Sequence, residues 1–398
     1  MPPAPPAPTA PAVPSAAPAP RHYDVSLMVL TSLLLAFGLT MVWSASAFVA
    51  QEETRDGFHF VTRQVFAIGM GLALGIAAAV TPYRRLQKYA PALYTTSIVM
   101  LGAVWIPGLS HSANGAQRWF GVGGLHFQPA EMAKVAILIG LATWLHKHRA
   151  NIHDVPNVLF PAACGIVFPL LLVIIQPDFG STAITCLLCA VMLFFAGLRW
   201  SWIVAVFTSL TALLAVVMVA EPYRRARLLS FLDPFADCGG DGYQVCQSLL
   251  ALHHGGLGGR GLGESSAKLL YLPEPYNDFI AAVLGEELGL WGFVALTGLY
   301  IALAWRGFSI ARRAPDLFGS LLASTFTVMI VGQAVLNLGV VLSVVPNKGL
   351  VLPFVSYGAS AMMMNIAAIG VLLSVSAECK PVEKKAPMFA PVLNPTGA

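Results

Sequence analysis

The residue with the clearest capacity for chemistry is Asp278. It lies in the stretch KLLYLPEPYNDFIAAVLGEELGLWG at 268–292, where a long Gly-rich polar segment gives way to an apolar run. We therefore expect its carboxylate at the mouth of a membrane-spanning helix. A carboxylate in that position is costly unless it has a partner or a function. Asp278 thus marks the candidate functional site.

Basic residues are unusually frequent in segments that we place outside the membrane. Lys and Arg normally concentrate in short cytoplasmic loops, and most of this chain's do so once the N-terminus is assigned to the cytoplasm. The others need another explanation, and they are Arg118, Arg224, Arg225, Arg227, Arg260, Lys268 and Lys348. As a group they favour an anionic substrate approached from outside. Contact with lipid headgroups is the alternative for any one of them.

Three polar residues recur on one face of the helix predicted after Pro129. Gln128, Glu131 and Lys134 are spaced i, i+3, and residues at that spacing are neighbours on a helix surface. We expect Glu131 and Lys134 to form an ion pair, because pairing lowers the cost of burying both charges. The pair would also shape the floor of a cavity, and Gln128 is a candidate substrate contact there.

Other carboxylates fall near predicted helix ends. Asp178, in the QPDFG turn, either caps the next helix or pairs with an outer arginine. Glu286 and Glu287 lie two turns beyond Asp278. We expect at least one of these two to be buried and paired with a Lys or Arg.

Two outer segments have compositions suited to binding a phosphate or a sugar. The glycines of GGLGGRGLG, at 255–263, could bring backbone amides against a phosphate; a flexible linker is the alternative. The turn PNKGLVLPFVSYGASA, at 346–361, is polar within an apolar context, which predicts a helix opened to line a cavity. Lys348 and Ser356 are its candidate substrate contacts.

The six cysteines do not form a metal-binding pattern. Cys238 and Cys246 lie together on the longest outer segment, where they either pair as a disulfide in an oxidising compartment or remain two free thiols. No Cys/His cluster has metal-ligand spacing, and the chain contains no P-loop and no dinucleotide fingerprint.

A bundle of membrane-spanning helices must position these residues. The 398-residue chain is 57% hydrophobic and only 11% charged, against about 25% charged in soluble proteins. Because each span needs about 20 apolar residues, we predict an all-α polytopic fold with about ten transmembrane helices. The predicted spans are 25–50, 62–81, 90–107, 130–146, 158–176, 181–198, 201–220, 278–304, 317–344 and 351–376.

The spans define a transmembrane domain at 23–378 with a large outer loop, 221–277, between helices 7 and 8. The Pro/Ala-rich residues 1–22 cannot build a core and are predicted to be a disordered cytoplasmic tail. Residues 379–398 form a second cytoplasmic tail, since an even number of spans returns the chain to the inside.

Five motifs together resemble the SEDS family, the shape, elongation, division and sporulation proteins of bacteria. They are NGAQRWFGVGGLHFQPAEMAK, QPDFGST, RRARLLSFLDPFAD, GYQVCQSLLALHHGGLGGRGLGESSAKLLYLPEPYNDFIAAVLGEELG and PNKGLVLPFVSYGASA. The similarity covers about residues 24–376, and the opening and the PNKGL turn are closer to division-type than to elongation-type members. Ala130 and the SYGASA sequence depart from the family's usual QPSE and SYGGSS.

The resemblance implies a peptidoglycan glycosyltransferase of the bacterial inner membrane that polymerises lipid II, with its active site on the periplasmic side. It also implies a partner, a class B penicillin-binding protein with transpeptidase activity, and in division the divisome proteins. The family's essential aspartate corresponds to Asp278.

The chemistry of that reaction fits the residues. The acceptor hydroxyl needs a base, for which Asp278 is the candidate, and the leaving diphosphate needs cations. A single catalytic carboxylate suits inversion at the anomeric carbon. A divalent cation such as Mg²⁺ or Mn²⁺, bridging Asp278 and the diphosphate, is a further expectation; no organic cofactor is expected.

Two other functions would use similar residues. A transporter that flips lipid-linked precursors would also need a polar cavity and an anion-binding cluster, but it predicts ionisable groups through the bilayer midplane and inverted repeats. A scaffold that only recruits the transpeptidase would leave Asp278 without a role. The polar residues of this chain concentrate in the outer segments, which favours the polymerase.

Overall fold

The structure, a computed structural model, describes residues 22–106, 110–113, 116–122, 125–199, 201–202, 204, 208, 235, 238–240, 242–346 and 349–379. Ten α-helices lie in these ranges: α1 (Val25–Thr54), α2 (His59–Val80), α3 (Arg85–Ala103), α4 (Pro129–Lys147), α5 (Phe160–Ile175), α6 (Phe179–Phe195), α7 (Tyr243–Gly255), α8 (Ile280–Arg313), α9 (Leu317–Val341) and α10 (Ala359–Ala377). A 3₁₀ turn (Arg149–Asn151) and two π-helical turns (Val155–Leu159 and Ala267–Tyr271) connect some of them.

The predicted all-α polytopic class is confirmed. Six helices in the described part of the chain are long and apolar enough to cross a membrane, namely α1, α2, α5 with the π turn before it, α8, α9 and α10. The spans predicted at 90–107, 130–146 and 181–198 correspond to α3, α4 and α6. The span predicted at 201–220 falls largely outside the described residues. The chain is therefore a multi-pass membrane protein.

One end of the bundle gathers the polar segments that the sequence singled out, and we call it the site end. A three-stranded antiparallel sheet lies there between α3 and α4, with the order β1 (Ser110–Ala113), β2 (Ala116–Val122) and β3 (Leu125–Phe127). The sequence prediction missed this sheet. The hydroxyl of Ser360, in the first turn of α10, accepts a hydrogen bond from the backbone N–H of Gln128 at 2.7 Å. This bond attaches the sheet to the bundle.

The last predicted span begins later than expected. Residues 351–358 are not helical, and α10 starts at Ala359. The prediction of a helix opened at this point is thus confirmed, while the predicted span boundary at residue 351 was wrong. The backbone of the opened segment is held by buried amides of α9, since Gln333 donates to the Val351 carbonyl at 3.3 Å and Asn337 donates to the Leu350 carbonyl.

The opposite end of the bundle is closed by ion pairs between chain segments far apart in sequence. Asp24, before α1, pairs with Arg306 near the end of α8. Asp316, before α9, accepts hydrogen bonds from Arg84 at 2.9 Å and from the Tyr83 hydroxyl at 2.8 Å. Burial opposes the ionisation of Asp316, but these bonds and one from the Gly319 amide hold its pKa below the ordinary value.

Helix α8 is broken near its site end. Its 34 residues would extend about 50 Å as one helix, which is more than a bilayer core of about 30 Å needs. Gly289 has φ 66° and ψ −162°, a conformation open to glycine and strained for other residues. Before Gly289 most side chains are buried in protein, and after it Leu290 and Trp291 are exposed. The span predicted at 278–304 corresponds to α8, and its first turns are enclosed by other segments of the protein.

The segment from α7 to the second π turn encloses the first turns of α8. The amides of Arg260 and Gly261 donate to the carbonyls of Glu286 and Glu287 at 3.0 and 2.9 Å, and the Leu290 amide donates to Gly256 at 3.0 Å. These bonds replace helix bonds that the break at Gly289 removes. The Gly-rich run was expected either to present amides to a phosphate or to be a flexible linker. Both expectations were wrong for the amides of Arg260 and Gly261, which are bonded to α8.

A disulfide joins Cys238 to Cys246 in the first turn of α7, with their Cα atoms 5.7 Å apart. We predict that this bond is present in protein from native membranes. In non-reducing peptide mapping after denaturation, Cys164, Cys186, Cys189 and Cys379, which are free in the structure, should alkylate without prior reduction, whereas Cys238 and Cys246 should not. Full alkylation of all six would contradict the prediction. Loss of the bond should cost about 2–3 kcal/mol, as expected for a short loop.

Candidate functional site

Asp278 lies near the end of the segment 273–279 that leads into α8, and its side chain is half-buried. Its backbone carbonyl accepts a hydrogen bond from the Asn337 amide nitrogen at 2.8 Å. The Asp278 carboxylate lies against the opened segment 349–358: a β-carbon placed on Gly349 would be 3.3 Å from Asp278 Oδ2. The candidate base therefore stands where two non-helical segments meet.

Hydrogen bonds join these two segments directly. The Tyr357 amide donates to the Tyr276 carbonyl at 2.9 Å, and the Ser356 hydroxyl donates to the Asn277 carbonyl at 2.7 Å. Ser356 also accepts from the Leu352 amide at 2.8 Å and is only 3% exposed. Its role in the structure is to hold the segments together, which differs from the substrate contact that the sequence indicated.

Aromatic rings pack beneath the two segments. Tyr276 lies against Phe60 of α2, with ring centroids 4.3 Å apart, and Tyr357 contacts both rings edge-on. Burial is the main cause that raises the pKa of the Tyr276 phenol. A phenol with a raised pKa stays protonated at neutral pH, so Tyr276 is unsuited to act as a base next to Asp278.

The sheet and the QPDFG turn form a second polar group at the site end. Arg118 donates through Nε to the Gln176 carbonyl at 2.9 Å and through Nη2 to the Pro177 carbonyl at 2.8 Å. Its side chain is still partly exposed. The guanidinium thus holds the turn in place and keeps part of its charge at the surface.

Asp178 caps α6, as one of the two sequence interpretations held. Its Oδ1 accepts from the Ser181 amide at 3.1 Å, and its Oδ2 accepts from the Gln128 side chain at 2.7 Å. Gln128 therefore connects the start of α4 to the start of α6. The side-chain nitrogen of Gln128, a predicted substrate contact, thus has a structural role in binding Asp178.

The predicted ion pair between Glu131 and Lys134 is present. Lys134 Nζ lies 2.8 Å from Glu131 Oε2, and the side chains are 2% and 10% exposed. Both residues belong to α4, close to the end that carries the sheet. The pair is thus buried within the bundle, and the charge of each residue compensates that of the other.

Glu286 and Glu287 are both fully buried and both paired, which confirms and extends the expectation for them. Glu286 accepts hydrogen bonds from Arg260 at 3.0 Å and from the hydroxyls and amides of residues 265–267. Glu287 pairs with Lys268 Nζ at 2.9 Å and accepts from Ser44 of α1. These two carboxylates anchor the enclosing segment to α8.

Lys268 is consequently not available at the surface in the manner expected of a phosphate contact. Its side chain is 9% exposed and its ammonium is engaged with Glu287 and Ser44. The sequence predicted a substrate group as the partner of Lys268, whereas the structure pairs it with Glu287. The remaining basic residues among the predicted substrate contacts lie outside the described residues; they are Arg224, Arg225, Arg227 and Lys348.

The sequence reasoning missed Asn337 and Gln333, which are buried on successive turns of α9 and bind the backbone next to Asp278. Buried amides within an apolar span were the available signal, because a polar group at that depth needs a partner. Gln64 of α2 is a further example, donating to the Ser356 carbonyl at 3.1 Å.

Gly349 provides a test of the contact with Asp278. It has φ 66°, and a Gly349→Ala change would place a methyl group 3.3 Å from the Asp278 carboxylate. We expect a stability cost of about 1–3 kcal/mol from the left-handed backbone and an activity loss of about tenfold or more from displacement of the carboxylate. Thermal unfolding and turnover measure the two effects.

Gly197 is the matched control for that substitution. It also has a positive φ, 91°, but a β-carbon there would meet no atom within 4 Å. Gly197→Ala should therefore share the backbone cost and keep full activity. Equal activities of the Gly349 and Gly197 variants would argue against a constraint on Asp278.

Known proteins resemble this chain over most of its length. A family model described as a cell cycle protein, FtsW/RodA/SpoVE, matches residues 25–381. Stage V sporulation protein E of Bacillus subtilis is 41% identical over 356 residues, covering 89% of this chain and 96% of that protein. A probable peptidoglycan glycosyltransferase FtsW of Halothiobacillus neapolitanus is 40% identical, covering 89% and 86% of the two chains.

Solved structures show the same similarity. A chain of a peptidoglycan synthase complex, studied for its coordination of polymerization and crosslinking, superposes with a TM-score of 0.73 at 31% identity, covering 89% of this chain and 97% of that chain. The rod shape determining protein RodA of Thermus thermophilus superposes with a TM-score of 0.66 at 30% identity, covering 89% and 96%.

Proposed function

Because the chain belongs to the FtsW/RodA/SpoVE family, we propose that it is a peptidoglycan glycosyltransferase that polymerises lipid II, the disaccharide pentapeptide carried on undecaprenyl diphosphate. The observation that carries the proposal is the position of Asp278. It is a half-buried carboxylate at the junction of two segments that the bundle holds rigidly at its site end.

Asp278 acts in this proposal as the general base. It takes the proton from the 4-hydroxyl of the acceptor sugar, whose oxygen attacks the anomeric carbon of the donor as the bond to the diphosphate breaks. The α-linked donor thereby becomes a β-linked residue of the glycan. General base catalysis of this kind contributes about 10²–10⁴ in rate, and nearby cations stabilise the leaving diphosphate.

Arg118 is the predicted diphosphate contact that the described residues support best. Its guanidinium is partly exposed at the site end, and its two backbone acceptors leave other N–H groups of the fork for a ligand. Arg224, Arg225, Arg227 and Lys348 remain candidates from the sequence.

A divalent cation, Mg²⁺ or Mn²⁺, would need the bound substrate to supply most of its ligands. The described residues contain no group of three or more His, Cys, Asp or Glu side chains that could hold a metal. Mg²⁺ is commonly held by one or two carboxylates together with substrate phosphates and water. Asp278 would be the protein ligand, and the cation would neutralise charge on the diphosphate.

We place the site end on the periplasmic side of the bacterial inner membrane and both termini in the cytoplasm. The argument is the positive-inside rule. Arg84, Arg306 and Arg313 lie at the opposite end. Trp305 of α8, which is 71% exposed and precedes Arg306, suits the cytoplasmic membrane interface.

We further propose a role in septal cell-wall synthesis, with a class B penicillin-binding protein as the transpeptidase partner and the divisome as the assembly. Several relatives carry the name FtsW. An elongation role that controls cell shape, or a sporulation role, is the alternative. Depletion of the protein decides between them, because loss of division gives filaments and loss of elongation gives rounded cells.

The experiment that tests the activity uses purified protein in detergent with labelled lipid II, alone and with the transpeptidase partner. We expect glycan polymer, in greater amount with the partner. The same protein reconstituted in vesicles tests the transporter alternative. The proposal would be overturned if lipid II moved across the vesicle bilayer and neither preparation formed any polymer.

A further inference from the structure

Asn337 of α9 makes one side-chain bridge between the two segments that form the site. Its amide nitrogen donates to the Asp278 carbonyl at 2.8 Å and to the Leu350 carbonyl at 2.5 Å. The side chain is buried, with 1% of its surface exposed. Leu350 follows Gly349, whose backbone lies against the Asp278 carboxylate. One amide group thus fixes the backbone on both sides of the candidate base.

The orientation of this amide is unambiguous. An Asn side chain has two N–H donors and one carbonyl acceptor, and a flipped amide would point its oxygen at two carbonyl oxygens. In the observed orientation Asn337 Oδ1 has no hydrogen-bond partner among the described residues. An unsatisfied buried oxygen is unusual in native structures and calls for an explanation. Here the explanation is that both N–H groups are committed to the site.

Gln333, one turn earlier on α9, repeats the arrangement. Its Nε2 donates to the Val351 carbonyl at 3.3 Å, and its Oε1 is likewise buried, with no partner in the part of the chain that the structure describes. Two consecutive amides of one helix therefore bind two consecutive carbonyls of the opened segment. Asn337 differs from Gln333 because it also reaches Asp278.

We propose that Asn337 is a positioning residue for the glycosyl transfer, setting the location of Asp278 relative to the opened segment 349–358. The inference rests on the proposed function. A base must lie within hydrogen-bond reach of the acceptor hydroxyl, and small displacements of a catalytic group reduce rate strongly. Substrate binding depends on other groups, so the effect falls on turnover.

Asn337→Leu tests the proposal, because leucine has a similar size and no donors. We expect kcat to fall about tenfold or more, as for a catalytic group displaced by less than about 1 Å, with KM for lipid II within about twofold. Hydrogen exchange should rise in peptides that contain residues 276–279 and 349–352. Asn365→Leu is the matched control: Asn365 is equally buried in α10, but neither atom of its amide has a partner within the described ranges. It should keep wild-type kcat and exchange.

A second variant serves if Asn337→Leu fails to fold. Asn337→Gln keeps both donors and moves them by one methylene, so it satisfies polarity without restoring position, and its kcat should also fall while the protein folds. A wild-type kcat in a folded Asn337→Leu or Asn337→Gln protein would overturn the proposal, and so would unchanged exchange in Asn337→Leu. Failure of the proposed function is distinguishable, because then the wild type itself forms no glycan while the exchange result still reports on the bridge.

Discussion

The Asp278→Asn protein is expected to form no measurable glycan from lipid II while folding and inserting as the wild type does. Asparagine has nearly the same shape and keeps the backbone carbonyl that Asn337 binds, but it cannot accept the proton of the acceptor hydroxyl. The loss should be at least about 10²-fold, the lower end of what a general base contributes. Initial rates of polymer formation by purified protein measure it.

Glu274→Gln is the matched control for that substitution. Glu274 is an exposed carboxylate of the same segment, four residues before Asp278, and it contacts Asn277. Its removal should leave the rate within about twofold, because glutamine retains the hydrogen-bonding capacity. Near wild-type polymerisation by Asp278→Asn would show that another group is the base.

Lys134→Met is expected to cause the largest loss of stability among the single substitutions considered. It leaves Glu131 buried beside an apolar side chain, and breaking a buried pair typically costs about 3–5 kcal/mol. Removing both charges, in Glu131→Gln with Lys134→Met, should recover part of that loss, because no charge then remains unpaired. The thermal unfolding midpoint of the purified protein in detergent measures both changes.

Lys147→Met provides the control at the far end of the same helix. Lys147 is exposed, and no ion pair to it is found among the described residues, so its replacement should shift the midpoint very little. Equal midpoints for the wild type, Lys134→Met and the double variant would mean that the pair contributes nothing to stability.

Much of the fold was predictable because apolar length is a strong constraint on a membrane protein. Nine of the predicted spans, all except 201–220, coincide in large part with helices of the described chain, since each backbone polar group must be satisfied within its own helix. The pairing of Glu286 and Glu287 with basic residues was predictable for a related reason: an unpaired charge at that depth is too costly.

Other features were not predictable from local sequence. The three-stranded sheet depends on pairing between strands of three to seven residues, none of which shows a sustained alternation of apolar and polar residues. The break in α8 depends on Gly289 meeting the segment 255–261, a contact between distant positions. Lys268 was expected to face a phosphate because it is a basic residue in a segment placed outside the membrane, but its partner Glu287 is supplied by another element.

The site shows the same division. Asp278 was identifiable from its place before an apolar run and from the motif around it. Asn337 was not, because its role depends on two carbonyls that come near it only in the folded bundle. A buried amide on a predicted span indicates that a partner exists, while the identity of that partner requires the structure.

In the proposed mechanism one carboxylate, Asp278, drives a direct displacement at the anomeric carbon. The configuration of the new glycosidic bond tests it most directly, because a single displacement inverts the α-linked donor and a covalent glycosyl-enzyme intermediate retains it. We predict that glycan made by the purified protein from lipid II is wholly β-linked and is cleaved to disaccharides by a muramidase specific for that linkage. An α-linked, muramidase-resistant polymer would contradict the account.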